Sequence, residues 1–161
     1  MAPIHPHVRI GHVHLTVSDL ERSLAFYRDA LGFEVTTWYG RDAVFLSAGG
    51  YHHHIGLNTW AGRGAPQPPT GTTGLYHFAV LYPDRKALAG AVRRVLEHGV
   101  RLEGASDHGV SEAIYLRDPD GNGVELYRDQ PPAEWPRRPD GSLLMRTEPL
   151  DLEDLLRDAD S

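Results

Sequence analysis

The segment Ile10 to Val17 (IGHVHLTV) alternates strictly, with Val13, Leu15 and Val17 on one face and His12, His14 and Thr16 on the other. A period of two predicts a strand with one apolar and one polar face. The pattern then switches to helical spacing through Leu20, Leu24, Tyr27 and Leu31, with a capping-box signature from Ser18 to Glu21 and Gly32 as the stop. Phe33 to Thr37, Ala43 to Ser47 and His53 to Thr59 read as three short strands joined by glycine-bearing turns.

After a Gly/Pro/Thr-rich connector from Ala61 to Gly74 the same order returns. Leu75 to Tyr82 reads as a strand that sets Phe78 and Val80 opposite His77 and Ala79. A helix opens after Pro83 and Asp84, runs through Leu88, Val92, Val95 and Leu96, and stops at Gly99. Strands follow at Arg101 to Gly104, Glu112 to Arg117 and Gly123 to Arg128. The chain therefore carries a βαβββ unit twice, and His12 and His77, like Asp19 and Asp84, are separated by the same 65 residues. Two copies do not make a solenoid, which needs three or more. Two such units can instead pair their sheets around a shared cleft. The predicted organisation is one domain over residues 8–129, with module one at 8–60 and module two at 74–129, followed by an arm and short helix at 130–161. In that tail the string EPLDLEDLLRDAD predicts a short acidic amphipathic helix with Leu150, Leu152, Leu155 and Leu156 on its apolar face. It either packs on its own domain or serves as a lid or dimer clasp.

Composition narrows the chemistry. The 161 residues include ten histidines and no cysteine, so disulfides and thiolate metal sites are excluded. Any metal must sit on imidazole and oxygen ligands, which suits iron, manganese, nickel or catalytic zinc. Sixteen Lys and Arg against 22 Asp and Glu give a formal charge of −6, the wrong balance for a phosphate-binding stripe, and no nucleic-acid role is expected. No stretch approaches the length of a membrane span, and a cytoplasmic protein with no membrane partner is the expectation.

Three residues share a description: His12 and His77 on the polar faces of the two first strands, and Glu125 on the last strand between Val124 and Leu126. Strand parity sends all three away from the helix-packed face, and paired sheets would make them converge. Two neutral imidazoles and one carboxylate leave coordination positions open, an arrangement suited to non-haem iron(II) and oxygen.

The strings IGHVHLTVSDLERSLAFYRDALGF, GLYHFAV and YLRDPDGNGVELYRD resemble the vicinal oxygen chelate superfamily of glyoxalases, fosfomycin and bleomycin resistance proteins and extradiol dioxygenases. The resemblance covers about Ile10 to Asp129. It implies an α+β fold in which two βαβββ modules pair into one domain with a metal-bearing cleft, and it matches His12, His77 and Glu125 to the superfamily's metal ligands. YHHHIGLNTWAG, SDHGVSEAIYL and the tail look most like a single domain of the bacterial catechol 2,3-dioxygenase type, whose longer members carry two. The implied function is an Fe(II)-dependent extradiol ring cleavage of a catecholic substrate with O2. Mn, Ni or Zn are the alternative metals, and a homodimer or higher even homo-oligomer is the implied assembly.

Glyoxalase-type isomerases of the superfamily take a fourth ligand at the position that corresponds here to the neighbourhood of Gly56, where Ile55, Gly56 and Leu57 offer none. By strand parity His54 and His52 share the Gly56 face while His53 points away. His54 resembles the acid/base histidine of extradiol dioxygenases, and an imidazole titrating near neutrality suits that task. Tyr115, ten residues before Glu125 as in the extradiol pattern, is expected to hold a substrate oxygen, and His108 resembles a histidine lining the oxygen pocket. His14 is expected to pack near the site without ligating, and His52 and His53 to lie at the surface or rim. The turn DPDGNG lacks the twelve-residue calcium pattern. Two other functions stay open: a different metal-dependent isomerase, epimerase or transferase, and a non-catalytic binding protein with Trp38, Tyr39, Trp60 and Tyr127 in an aromatic cleft.

Overall fold

The computed structural model describes residues 2–161. They fall into two compact units: the chain up to Arg28 with Gly32–Pro66, and Asp29–Leu31 with Gln67–Ser161. Each holds one mixed sheet and little helix, an α+β organisation.

In the first unit β1 (Val13–Thr16), β2 (Glu34–Tyr39), β3 (Ala43–Ser47) and β4 (Ile55–Asn58) form a four-stranded sheet of order β1-β4-β3-β2. β1 runs parallel to β4 with His14 opposite Gly56 and Leu15 opposite Leu57. The alternation read from the sequence governs burial here: Leu15 and Val17 are buried while His14 and Thr16 are exposed. Leu20, Leu24 and Tyr27 of the helix join Val44, Leu46, Ile55 and Leu57 in the core of this unit.

The helix α1 (Leu20–Leu24) begins one residue later than the capping-box pattern suggests: Asp19 is the N-cap, its carboxylate accepting from the Arg22 amide at 2.8 Å. Asp19 sits in extended backbone with a charged acceptor, and it displaces Ser18 from that role. Beyond Leu24 the helix widens into a π-helical turn over Ala25–Ala30, which the apolar spacing alone did not reveal. It closes at Gly32, whose φ of 87° places it in the left-handed region and whose amide donates to the Arg28 carbonyl.

In the second unit β5 (His77–Tyr82), α2 (Arg85–Glu97), β6 (Leu102–Asp107), β7 (Ser111–Arg117) and β8 (Gly123–Asp129) repeat the plan. β5 lies parallel to β8 with His77 opposite Gly123 and Ala79 opposite Glu125, so Gly56 in the first unit occupies the register position of Glu125 in the second. Asp84 caps α2 through the Ala87 amide. Gly99, at φ 73°, ends it with paired bonds from Gly99 N to Leu96 O and Val100 N to Val95 O. Leu88, Ala89, Ala91, Val92 and Val95 are the buried stripe, whereas Leu96 remains 38% exposed.

The tail packs on this unit. Residues Glu148–Pro149 add a fifth strand, β9, to the edge of β6, giving the order β5-β8-β7-β6-β9. The short helix α3 (Leu152–Arg157) follows; of its three leucines only Leu155 is fully buried. Arg85 grips its acidic face, with Nη2 2.8 Å from Asp154 and Nη1 2.6 Å from Asp158, while Nε reaches Glu112. No helix among the described residues is long and apolar enough to cross a membrane.

Candidate active site

The second unit brings four of its candidate residues into one connected group. His77 opens β5 and leans over Gly123 so that its Nε2 stands 2.9 Å from Glu125 Oε2. Close approach is possible because residue 123 has no side chain: a Cβ there would stand 2.3 Å from the Tyr76 carbonyl oxygen and 2.9 Å from His77 Cβ. The antiparallel register of β7 and β8 places Tyr115 directly opposite Glu125, with its hydroxyl 3.4 Å from Oε1. His108, between β6 and β7, reaches the same hydroxyl with Nε2 at 2.6 Å. Desolvation, followed by the Glu125 charge, pushes the Tyr115 phenol up to about 12, so it is neutral at physiological pH. A cavity of about 220 Å³ opens beside this group, lined by His77, Tyr115, Gly104, Tyr76 and the ion pair of Arg117 with Glu103.

The first unit holds the remaining candidates. His12 lies just before β1, and the amide of Val13 donates to the His54 carbonyl at 3.0 Å. Its ring neighbour is His53, with centroids 4.3 Å apart. This corrects the parity argument that sent His53 away: β4 begins only at Ile55, so alternation does not extend back through the histidine run. His53 also packs edge-on against Phe45, and its Nδ1 is 2.7 Å from that of His52. Partial desolvation and the surrounding imidazoles, His12 foremost, hold His53 below its ordinary pKa.

His54 turns toward the β3 end, where Nδ1 accepts from the Ala48 amide at 3.3 Å and lies 3.2 Å from Ser47 Oγ. An amide can only donate, so the neutral ring carries its proton on Nε2. His14 covers Gly56. A Cβ at residue 56 would meet the His14 ring at 2.9 Å, and Phe45 and Trp60 flank that ring with centroids at 5.7 and 5.3 Å. Desolvation, then the neighbouring His12, lowers the His14 pKa.

Among the described residues no group of three or more His, Asp or Glu stands together in a metal-holding arrangement. The pair that does come together is His77 with Glu125; His12, expected to converge with them, belongs to the first unit. That pair fits a divalent ion: an imidazole nitrogen and a carboxylate oxygen from adjacent strands aim at each other on a partly open face, with side chains 30% and 13% exposed. The turn read as a poor calcium site is explained structurally. Buried Asp118 accepts from the amides of Asp120 and Asn122 and from the Asn122 side chain.

Residues 9–126 match the model of the Glyoxalase/Bleomycin resistance protein/Dioxygenase superfamily. The chain belongs to this superfamily. Catechol-2,3-dioxygenase of Bacillus subtilis (strain 168) is 45% identical over 159 residues, which are 99% of this chain and 55% of that protein. Biphenyl-2,3-diol 1,2-dioxygenase 3 of Rhodococcus globerulus is 34% identical over 75% of this chain and 63% of its own length. The chain thus spans about half to two thirds of these superfamily relatives. Among solved structures, lactoylglutathione lyase from Agrobacterium tumefaciens superposes with a TM-score of 0.58 at 27% identity, over 77% of this chain and 96% of that one. Superfamily membership and the α+β fold are therefore as the sequence resemblance implied.

Sequence reasoning missed two contributors. Gly123 was read as the end of a turn and the start of a strand, but its register opposite His77 is what makes it matter. The other is a backbone carbonyl, that of Arg146, against His108, and a main-chain group leaves no trace in residue identity.

Proposed function

We propose that this chain is a metal-dependent ring-cleaving dioxygenase of the extradiol type, acting on a catecholic substrate with O2 in aromatic catabolism. His12, His77 and Glu125 are its metal ligands and Fe(II) its metal. The observation that supports this reading is the run His77–Glu125–Tyr115–His108, linked at 2.9, 3.4 and 2.6 Å, a phenol and an imidazole beside an imidazole–carboxylate pair. The similarity to two diol dioxygenases supports it.

When bound, the metal would supply chelation of the two diol oxygens and activation of O2. The chain's own residues handle protons and orientation. Tyr115, neutral and anchored to His108, holds a substrate oxygen by hydrogen bond. His54 is the acid/base histidine of this reading; with Nδ1 accepting from the Ala48 amide, its proton is on Nε2, and it would act as an acid from that atom.

The test is metal quantitation on freshly isolated protein, followed by oxygen uptake after anaerobic loading with ferrous ion. Stoichiometric iron and one O2 consumed per catechol, with a yellow ring-opened product, are expected. No uptake across varied catechols refutes the proposal. His12→Ala, His77→Ala and Glu125→Ala should each lower metal content at least tenfold.

A second reading, a metal-dependent isomerase, draws on the likeness to the lactoylglutathione lyase structure. Gly56 speaks against a four-ligand version, because the register position of Glu125 carries no side chain and the His14 ring lies over it. Nickel or zinc without iron in the isolated protein would favour it.

A further inference from the structure

His108 sits in the turn between β6 and β7, and the C-terminal arm wraps it from 38 residues away. Its carbonyl accepts from the Arg146 amide at 3.2 Å, and its Nδ1 lies 2.8 Å from the Arg146 carbonyl oxygen, with Thr147 Oγ1 at 3.4 Å. A carbonyl oxygen has no proton to give, so the short contact requires the hydrogen on Nδ1. In a neutral imidazole Nε2 is then bare, and its lone pair faces the Tyr115 hydroxyl at 2.6 Å. The phenol donates to His108 in preference to Glu125, whose Oε1 is 3.4 Å away.

The arm is built to hold that carbonyl in place. Gln130 N donates to Val110 O, Trp135 Nε1 to Gln130 O, and Leu144 N to Pro136 O. At the turn itself, Gly109 has φ of 77°, and a Cβ there would stand 2.9 Å from Pro136 Cγ and 3.4 Å from Arg146 Nε. Two residues after Arg146 the chain enters β9, paired through Glu148 opposite Asp107 and Pro149 opposite Ser106. The carbonyl is thus fixed on both sides.

We propose that the Arg146 carbonyl is a positioning group for the active site: by fixing the tautomer of His108 it sets the direction of the Tyr115 O–H bond. The oxygen of Tyr115 then presents its lone pairs to the open face and meets a substrate hydroxyl as acceptor. A proton passing from that hydroxyl to Tyr115 is matched by the Tyr115 proton passing to His108 Nε2. The resulting imidazolium keeps its Nδ1–H on the Arg146 carbonyl, a hydrogen bond strengthened by the charge. The relay needs no other reactant. This assignment rests on the reading of Tyr115 and His108 as site residues, and it gives residues 130–161, which lie beyond the matched family region, a part in the chemistry.

Nitrogen-15 NMR of the histidine-labelled full-length protein, at a pH where His108 is neutral, tests it. The His108 signal is identified by its disappearance in His108→Gln. A single Nδ1–H tautomer is expected, with a through-hydrogen-bond coupling from Nδ1 to the Arg146 carbonyl carbon. Tyr115→Phe removes the other hydrogen-bonding partner of the ring, and the Nδ1–H signature should persist in it. An Nε2–H tautomer in the native protein, absence of the coupling, or loss of the signature in Tyr115→Phe would each overturn the assignment. Oxygen uptake is a separate measurement, so failure of the dioxygenase reading and failure of the tautomer assignment are distinguishable.

Discussion

Two glycines, one in each sheet, each admit a histidine from the parallel first strand. Gly123 lets His77 lie close to β8, and Gly56 lets the His14 ring lie over β4. Gly123→Ala forces the Tyr76 backbone or the His77 side chain to move, because the contact at 2.3 Å is with a main-chain oxygen. We expect a loss of about 1–3 kcal/mol in denaturant unfolding, with at least tenfold weaker metal uptake in titration. Gly56→Glu would install a carboxylate at the position homologous to Glu125, but the His14 ring occupies the path of its Cβ. The single variant should therefore lower the thermal midpoint, and His14→Ala in the same chain should restore much of it. At this scale strand parity was a good guide wherever a strand exists: His77, Glu125 and Tyr115 share a face because β5, β7 and β8 alternate regularly. It failed at His52–His54, since those residues precede β4, and ring packing against His12 and Phe45 decides their directions.

Helices and strands were legible in proportion to their length. The thirteen-residue α2 carries its own N-cap at Asp84 and glycine stop at Gly99, so its boundaries follow from local chemistry. The π-helical turn after α1 was not legible, because an apolar spacing of three or four residues does not exclude one widened turn. β9 was invisible for a different reason: two residues, one of them proline, show no alternation, and they pair only because the edge of β6 is there to receive them. α3 was foreseen as amphipathic, yet its anchoring comes from one fully buried side chain and from Arg85. Leu155→Ala should cost about 2–5 kcal/mol of the docking of this segment. Limited proteolysis should then cut within residues 130–161 well before the βαβββ body is touched; equal cleavage rates in the variant and the parent would contradict this.

Across the molecule, the duplication read as a constant offset of 65 reappears as matched pairing. In each unit the first strand runs parallel to the last, and the strand orders β1-β4-β3-β2 and β5-β8-β7-β6 correspond. What the two copies do not share is the residue at the proposed ligand position, glycine in one and glutamate in the other; the sequence placed this difference near Gly56 and the strand register fixes it there. Stability of the second unit should carry a high-pH signature. Burial pushes the Tyr82 phenol up to about 12, against the opposing effect of Arg94, compared with about 10 in an unfolded chain. A raised phenol pKa favours the protonated fold, so this stability is complete below about pH 10 and is lost as pH rises toward about 12. Denaturant unfolding followed across that window should show the decline, and Tyr82→Phe should reduce it, leaving the share that Tyr115 contributes.

The arm is held at several separate places: Gln130 on the Val110 carbonyl, β9 on β6, and α3 beneath Arg85. Because all are threaded on one short tether, detachment at any one of them leaves the others to keep its effective concentration high, and rebinding outpaces escape. The segment should therefore behave as a single opening unit. The amides that bond across it, including Arg146 to His108 and Leu150 to Ala105, should exchange with solvent together, at a common rate set by the release of the whole arm.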